Sequence, residues 1–361
     1  MERFRLKTAI SFGADALAAL EELAGQRVMV VTDDFLAKSG LLDQVKARLP
    51  SCTVETFTGV VPDPPLEVVA RGARALADCK PQAVVAFGGG SALDCAKAMV
   101  EYGKKLGATG EIAFWAVPTT AGTGSEVTSF AVLTDSQKGV KYPLVDDALL
   151  PHHAVLDPAF LAGVPAKVTA DTGMDVLTHA AEAYVAKGAN VYTDALAEKA
   201  FALAWKNLPA AFHGDQEAKA DMLLASNLAG MAFNGAGLGL SHSMAHALGG
   251  RFHIPHGRLN AMLLPHVIRF NAADHHTAER YAALAKACGL PPTARGLAFA
   301  MERLRGRLEQ PGRLSECGVD SKEVRACGEQ IAAAALADLC APSNPRSVTA
   351  QDIKAILREL A

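Results

Sequence analysis

Seven cysteines are spread through the 361 residues, and no two of them form a CxxC pair. That excludes a disulfide framework and a thiolate zinc site, and it suits a reducing cytoplasm. Long apolar runs are missing as well. Nothing approaches the roughly 18 residues of a membrane span, and the opening MERFRLKTAISFG lacks the apolar stretch of a secretion signal. Nor is there an excess of charge. The net formal charge is −3 with one fifth of the residues charged, which gives no reason to expect nucleic acid as a partner. The basic run RLRGR (303–307), flanked by Glu302 and Glu309, reads as the solvated face of a helix. Neither GxxxxGK[ST] nor GxGxxG occurs, so two familiar phosphate-binding loops are ruled out. Internal repeats and low-complexity linkers are also absent.

What remains is a soluble chain of two textures. Up to residue 158, short β-rich runs alternate with amphipathic stretches such as LEVVARGARALADC (66–79). Five strands are predicted, at 27–33, 53–58, 82–87, 114–118 and 153–157. Such alternation specifies an α/β domain with a parallel sheet covered by helices. Beyond Pro158, Ala- and Leu-rich stretches follow one another with few β-branched runs, which predicts helix packed upon helix. The boundary is placed near 158–162, giving domains 1–160 and 161–361, with a ligand cleft expected between them at the strand ends.

Two glycine-bearing turns stand at predicted strand ends. In VVAFGGGSALDCAKAM (84–99), Gly88, Gly89 and Gly90 permit a tight turn and close approach of an anion to the backbone. Ser91 is expected to cap the following helix, with Asp94 completing a capping box. In VPTTAGTGSEVTS (117–129), Thr119, Thr120, Thr123 and Ser125 crowd hydroxyls onto a second loop. Two such loops at adjacent strands suit a dinucleotide. Asp33 closes the strand VMVVTD, where a carboxylate would accept from a ribose and repel a 2′-phosphate, favouring NAD over NADP; capping of the next helix is its competing role. GAGLGL (235–240) follows a helix and reads as a plain turn.

The helical half carries a histidine-rich constellation. TGMDVLTHAAEAY (172–184) sets Asp175 and His179 four apart on one helix face, and HSMAHALGGRFHIPHG (242–257) adds His242, His246, His253 and His256. One Asp with imidazoles suits iron(II) or zinc better than magnesium or calcium. Spacing alone leaves open which of Asp175, His179, His242, His246 and His256 bind a metal. The histidines at 152, 153, 213, 266, 275 and 276 are expected to have no chemistry.

These motifs make the chain resemble the iron-dependent (group III) alcohol dehydrogenases over nearly its whole length. GGGSALDCAK, PTTAGTGSEVT, TGMDVLTHAAEAYV, the stretch from His242 to Asn271 and the tail ALADLCAPSNPRSVTAQDI carry the likeness. The resemblance implies a Rossmann-like nucleotide domain followed by an all-helical metal domain. It places the ligands of an Fe2+ (or Zn2+) ion at Asp175, His179, His242 and His256, and it sets His246 near the nicotinamide as a candidate proton relay. Cofactor contacts implied for NAD(H) are Asp33, Asp63, Gly89, Gly90, Ser91, Thr119, Thr120 and Lys141. Phe130 stands where some relatives carry a polar Asn, which implies a more apolar pocket.

Within the family, RFRLKTAISFG, KYPLVDDALLP and AGMAFNGAGLGLSHSMAHALGG are most similar to the propanediol- and ethanolamine-utilisation alcohol dehydrogenases. That likeness implies reduction of propanal or acetaldehyde with NADH. It also implies a homodimer or larger homo-oligomer in the cytoplasm, inside a bacterial microcompartment where shell and enzyme partners are present. Two other readings compete: a polyol dehydrogenase on the same scaffold, and a metallohydrolase without redox chemistry.

Overall fold

The computed structural model describes residues 4–108, 110–136 and 140–361. They form two compact units, Arg5–Val164 and Pro165–Ala361, with Phe4 counted in the second.

In the first unit the strands are β1 (Ala9–Phe12), β2 (Arg27–Asp33), β3 (Thr53–Val60), β4 (Ala83–Gly88), β5 (Ala113–Pro118), β6 (Phe130–Asp135), β7 (Val140–Val145) and β8 (His153–Leu156). Six of them make one fully parallel sheet in the order β1-β8-β5-β4-β2-β3. β6 and β7 pair antiparallel in a separate ribbon. All five strands predicted from the sequence are present, within three residues at each end. The edge strand β1 and the ribbon were not anticipated: β1 is only four residues long, and β7 carries Pro143, which argues against a strand interior.

The helices of this unit are α1 (Asp34–Lys38), α2 (Leu41–Ala47), α3 (Leu66–Cys79) and α4 (Gly90–Lys105). Both faces of the sheet are buried, and side chains alternate between two cores along each central strand. Val28 and Val30 of β2, Val85 and Phe87 of β4 and Trp115 and Val117 of β5 enter one core. Met29 and Val31, Val84 and Ala86, and Phe114 and Ala116 enter the other, against α3 and α4. The chain runs from β2 outward to β3, then returns to place β4 on the far side of β2. That reversal opens a crevice at the carboxyl ends of β2 and β4, where ligands of open α/β sheets bind.

The second unit is helical: α5 (Ala166–Val185), α6 (Val191–Phe212), α7 (Gln216–Ala236), α8 (Leu240–Phe252), α9 (His256–Asn271), α10 (His275–Ala287), α11 (Ala294–Arg307), α12 (Ser321–Ala326), α13 (Gly328–Ala337) and α14 (Ala350–Leu360). Side-chain caps set several starts, among them capping boxes at Asn190 with Thr193 and at Thr349 with Asp352. The turn predicted at 235–240 is confined to residues 237–239, between the end of α7 and the start of α8, with Gly237 at φ +86°. Among the described residues no helix is long and apolar enough to cross a membrane.

One contact seats α9 on α5. A Cβ at Gly257 would lie 2.1 Å from the Asp171 carbonyl oxygen, so only glycine lets the first turn of α9 lie against that backbone. Gly257→Ala is expected to lose at least about 2 kcal/mol, because the clash is with main chain that cannot turn aside. Urea unfolding of both proteins checks it; an unchanged midpoint would show that the helices separate freely.

Candidate active site

α5 is an unusual helix because it buries charge. Asp175, His179 and Glu182 follow at spacings of four and three, so all lie on one face, and all three are buried. Burying such groups is costly unless each finds a partner, and α8 and α9 supply them. Oδ1 of Asp175, Nε2 of His242 and Nε2 of His256 converge, every pair within 4.8 Å. The amide nitrogen of Asn260 sits at the focus, 2.8 Å from the Asp175 oxygen, 3.2 Å from His242 and 3.1 Å from His256. The three lone pairs therefore point at one spot that demands an electropositive group. A carboxylate oxygen with two imidazole nitrogens is the donor set of a borderline-soft divalent cation, so the residues fit iron(II) or zinc. His179 adjoins the cluster: its ring is stacked between His242, at 4.5 Å, and Phe233, at 4.6 Å between centroids.

Electrostatics prepare the cluster. Burial, reinforced by the neighbouring imidazoles of His179 and His256, pushes the pKa of His242 well below its ordinary value, so the ring is neutral and needs no proton removed before binding a cation. Burial opposes charge on Asp175, but the imidazoles around it and the Asn260 amide outweigh that, and its carboxyl titrates below the usual range. Behind His242 stands Glu182, whose Oε2 lies 2.7 Å from Nδ1 of the ring. Burial lifts the Glu182 carboxyl to about 7, against the pull of the amides that donate to it.

The other two histidines of the second motif differ in kind. Nδ1 of His246 lies 2.8 Å from Oδ2 of Asp338, and the His246 ring stacks on His256 at 5.0 Å. His253 is exposed and takes a left-handed conformation that ends α8, so its role is to stop a helix.

In the α/β unit, most of the predicted cofactor residues gather at the carboxyl ends of three neighbouring strands, β2, β4 and β5, while Asp63 follows β3 and Phe130 and Lys141 lie on the β6-β7 ribbon. Gly88 ends β4 with φ +152°, and a Cβ there would meet that of Ala92 at 2.6 Å. Gly89 and Gly90 face the second loop: their Cβ atoms would lie 3.3 Å from Thr120 Oγ1 and 2.7 Å from Thr123 Cγ2. The two loops thus interlock through glycine, and Thr119 N donates to Gly88 O at 3.0 Å. Ser91 does not cap α4, contrary to the capping box expected with Asp94. Gly89, in an extended conformation, holds the cap position, and Ser91 lies within the first turn. Asp94 instead points to the second loop, accepting from Ser125 Oγ at 2.6 Å and from Val132 N at 2.9 Å. Desolvation raises its pKa in spite of Lys97. Asp33 caps α1 through Leu36 N at 2.8 Å, using Oδ1, while Oδ2 faces Gly88. Asp63 and Lys141 form an ion pair, and Phe130 is half-buried at the start of β6.

Four participants escaped the sequence reading. Glu182, Asn260 and Lys97 could have been found by helical spacing, at seven from Asp175, four from His256 and three from Asp94. Asp338 is 92 residues from His246, and no local signal marks it.

A parallel sheet with its switch-point crevice lined by two interlocked glycine loops defines a nucleotide-binding unit, and the Asp/His cluster defines a metal-dependent enzyme. Comparison with known proteins gives the family. Residues 7–158 match the description iron-containing alcohol dehydrogenase, and residues 169–361 match the C-terminal part of the same family. The chain belongs to the iron-containing alcohol dehydrogenases and is an oxidoreductase acting on alcohols. It is 46% identical to 1-propanol dehydrogenase PduQ of Salmonella typhimurium, with 100% of each chain covered. Its fold superposes on an iron-containing alcohol dehydrogenase of Thermococcus thioreducens with TM-score 0.93, 31% identity and 99% of each chain covered. A sulfoacetaldehyde reductase of Bifidobacterium kashiwanohense in complex with NAD+ gives TM-score 0.89 and 28% identity, covering 100% of this chain and 99% of that one.

Lys97 ties the second loop to α4. It is 1% exposed, and its ammonium donates to Thr128 O at 2.8 Å and Phe130 O at 2.7 Å. Burial drives its pKa down to about 8, although Asp94 and Glu126 pull the other way. The unfolded chain holds this proton to about pH 10.4. Between those values the unfolded state binds more protons, so this group makes stability rise with pH there. Lys97→Met is expected to cost about 2–4 kcal/mol near neutral pH through stranded carbonyls. It should also abolish that rise, measured as the wild-type minus variant difference in urea unfolding from neutral to alkaline pH. Equal stability at every pH would refute the role.

Proposed function

We propose that this chain is an iron(II)-dependent, NAD(H)-linked dehydrogenase that interconverts short-chain aldehydes and primary alcohols, such as propanal and 1-propanol or acetaldehyde and ethanol. The observation that carries the reading is the convergence of Asp175, His242 and His256 on one point within this family's helical half. The 46%-identical relative, a 1-propanol dehydrogenase, supports the substrate class. For the coenzyme, the NAD+ held by a structural neighbour and the carboxylate of Asp33 at the end of β2 support NAD over NADP.

Asp175, His179, His242 and His256 would hold the ion, and the interlocked loops at Gly88–Gly90 and Thr119–Thr123 would bind the coenzyme, with Ser91, Asp94, Asp63 and Lys141 around them. When bound, the metal supplies Lewis-acid polarisation of the substrate oxygen and the nicotinamide supplies the hydride. The remaining work belongs to side chains. Asp338 holds Nδ1 of His246, which orients the ring and leaves Nε2 to carry the proton exchanged with the substrate oxygen. Phe130, standing where some relatives carry a polar Asn, would make the nicotinamide end of the coenzyme site more apolar, which favours a short alkyl chain over a polyol. The likeness to propanediol- and ethanolamine-utilisation enzymes extends the proposal to a homo-oligomer working in a protein-shelled compartment; a strictly monomeric species in sedimentation would refute the oligomer.

The test compares propanal, acetaldehyde, 1-propanol, 1,2-propanediol, 1,3-propanediol and glycerol with NADH/NAD+ and NADPH/NADP+, on iron-loaded anaerobic protein. The highest kcat/KM is expected for propanal or acetaldehyde with NADH. A preference for glycerol or a diol would sink the substrate reading, and a preference for NADPH the coenzyme reading. Asp175→Ala and His256→Ala should lose both iron and turnover; a metal-free variant with full activity would remove the metal from the reaction. His246→Gln should keep iron yet lower kcat by about 10²–10⁴, with a smaller loss for Asp338→Asn. Wild-type kcat across the pH range in both would dismiss the relay.

A further inference from the structure

We infer that Glu182 is the positioning residue that makes His242 a metal ligand, by holding the proton on Nδ1 of the ring while anchoring the first turn of α8. The inference rests on the metal reading above. Glu182 touches none of the three converging donor atoms, yet it is 2% exposed and both its oxygens are engaged. Oε2 lies 2.7 Å from His242 Nδ1 and accepts from Gly239 N at 2.9 Å, and Oε1 accepts from Ser241 N at 2.6 Å. The Asn260 amide nitrogen, which can only donate, lies 3.2 Å from Nε2, so Nε2 is the acceptor and Nδ1 carries the N–H that meets Glu182 Oε2.

An imidazole that donates from Nδ1 presents a lone pair at Nε2, the atom that faces Asp175 and His256. The opposite tautomer would put a hydrogen at the cluster's focus, against the amide hydrogens of Asn260. Glu182 therefore decides which ring nitrogen is available, and its negative charge raises that nitrogen's basicity. The same carboxylate fixes where the ring stands. The amides of Gly239 and Ser241 precede and begin α8, so α8 is pinned to α5 through the residue that orients its own His242. Close packing reinforces this: a Cβ at Gly239 would come within 3.0 Å of Glu182 Oε1.

A purely structural role, capping α8, makes a different prediction, and Asn344 separates the two. Its Oδ1 accepts from Leu240 N at 3.1 Å in the same turn without contact to His242. The experiment measures Co2+ affinity of the apoproteins by chelator competition, with the visible Co2+ absorption band and a thermal melt recorded alongside. Glu182→Gln keeps an acceptor for the amides but places an NH2 or a neutral carbonyl against the ring. It is expected to weaken Co2+ binding about 10–100-fold and to shift the band, while Glu182→Asp recovers part of the affinity. Asn344→Ala is expected to lower the melting temperature and leave affinity and band as in the wild type. If Glu182→Gln binds Co2+ like the wild type, or if Asn344→Ala loses affinity equally, the inference is overturned and the metal reading stands. If the wild type itself takes up no Co2+, the metal reading fails and the inference with it.

Discussion

A helix that buries two carboxylates and an imidazole on one face is the constraint around which the helical unit is arranged. Asp175, His179 and Glu182 would be untenable on α5 without partners, since desolvation of such groups costs several kcal/mol each. The partners come from three directions: amides from the start of α8, the His242 ring from its first turn, and Asn260 with His256 from α9. Each brings its own helix close, and Gly257 allows the closest approach. The polar cluster and the helix packing are thus one feature. A group that could accept three lone pairs at the focus would complete it, and this is why the site reads as a metal centre and not as a structural salt-bridge network.

The α/β unit solves a different problem with the same economy of means. A coenzyme needs bare backbone, and bare backbone at strand ends needs glycine. In this chain the glycines serve twice. Gly88 permits the turn out of β4, while Gly89 and Gly90 make room for Thr120 and Thr123 of the neighbouring loop. Asp94 and Lys97, both on α4, reach across to hold that second loop and the start of β6. The loops are a preformed pair, braced from beneath by two charged groups of opposite sign, Lys97 buried and Asp94 half-buried.

Much of this was legible in the residues. Short β-rich runs located the strands at 27–33, 53–58, 82–87, 114–118 and 153–157, and apolar positions three and four apart marked the helices, because burial on both faces of a parallel sheet leaves continuous apolar runs and burial on one face of a helix leaves that spacing. Such patterning missed β1 and the ribbon of β6 and β7, where the strands are short, half-exposed or interrupted by proline, so the pattern is weak. The histidine motif supplied two of the three side chains that converge, His242 and His256, and the glycine motifs form the interlocked loops. Spacing left His246 among the possible ligands, and the fold pairs it with Asp338. The expected cap at Ser91 failed, since Gly89 takes the extended cap conformation and starts α4 two residues earlier.

Residue order by itself determined the element types, the two textures, the candidate ligands and the family likeness, all of which depend on local spacing or on contiguous motifs. Tertiary structure alone decided which side chains meet. Asp338 reaches His246 across 92 positions, Glu182 reaches His242 across 60, and Asp94 turns from its own helix end to a loop 31 residues away. Such pairings arise because a buried charge takes whatever partner the packing of distant helices and loops brings within hydrogen-bond range, and one-dimensional spacing carries no record of that distance.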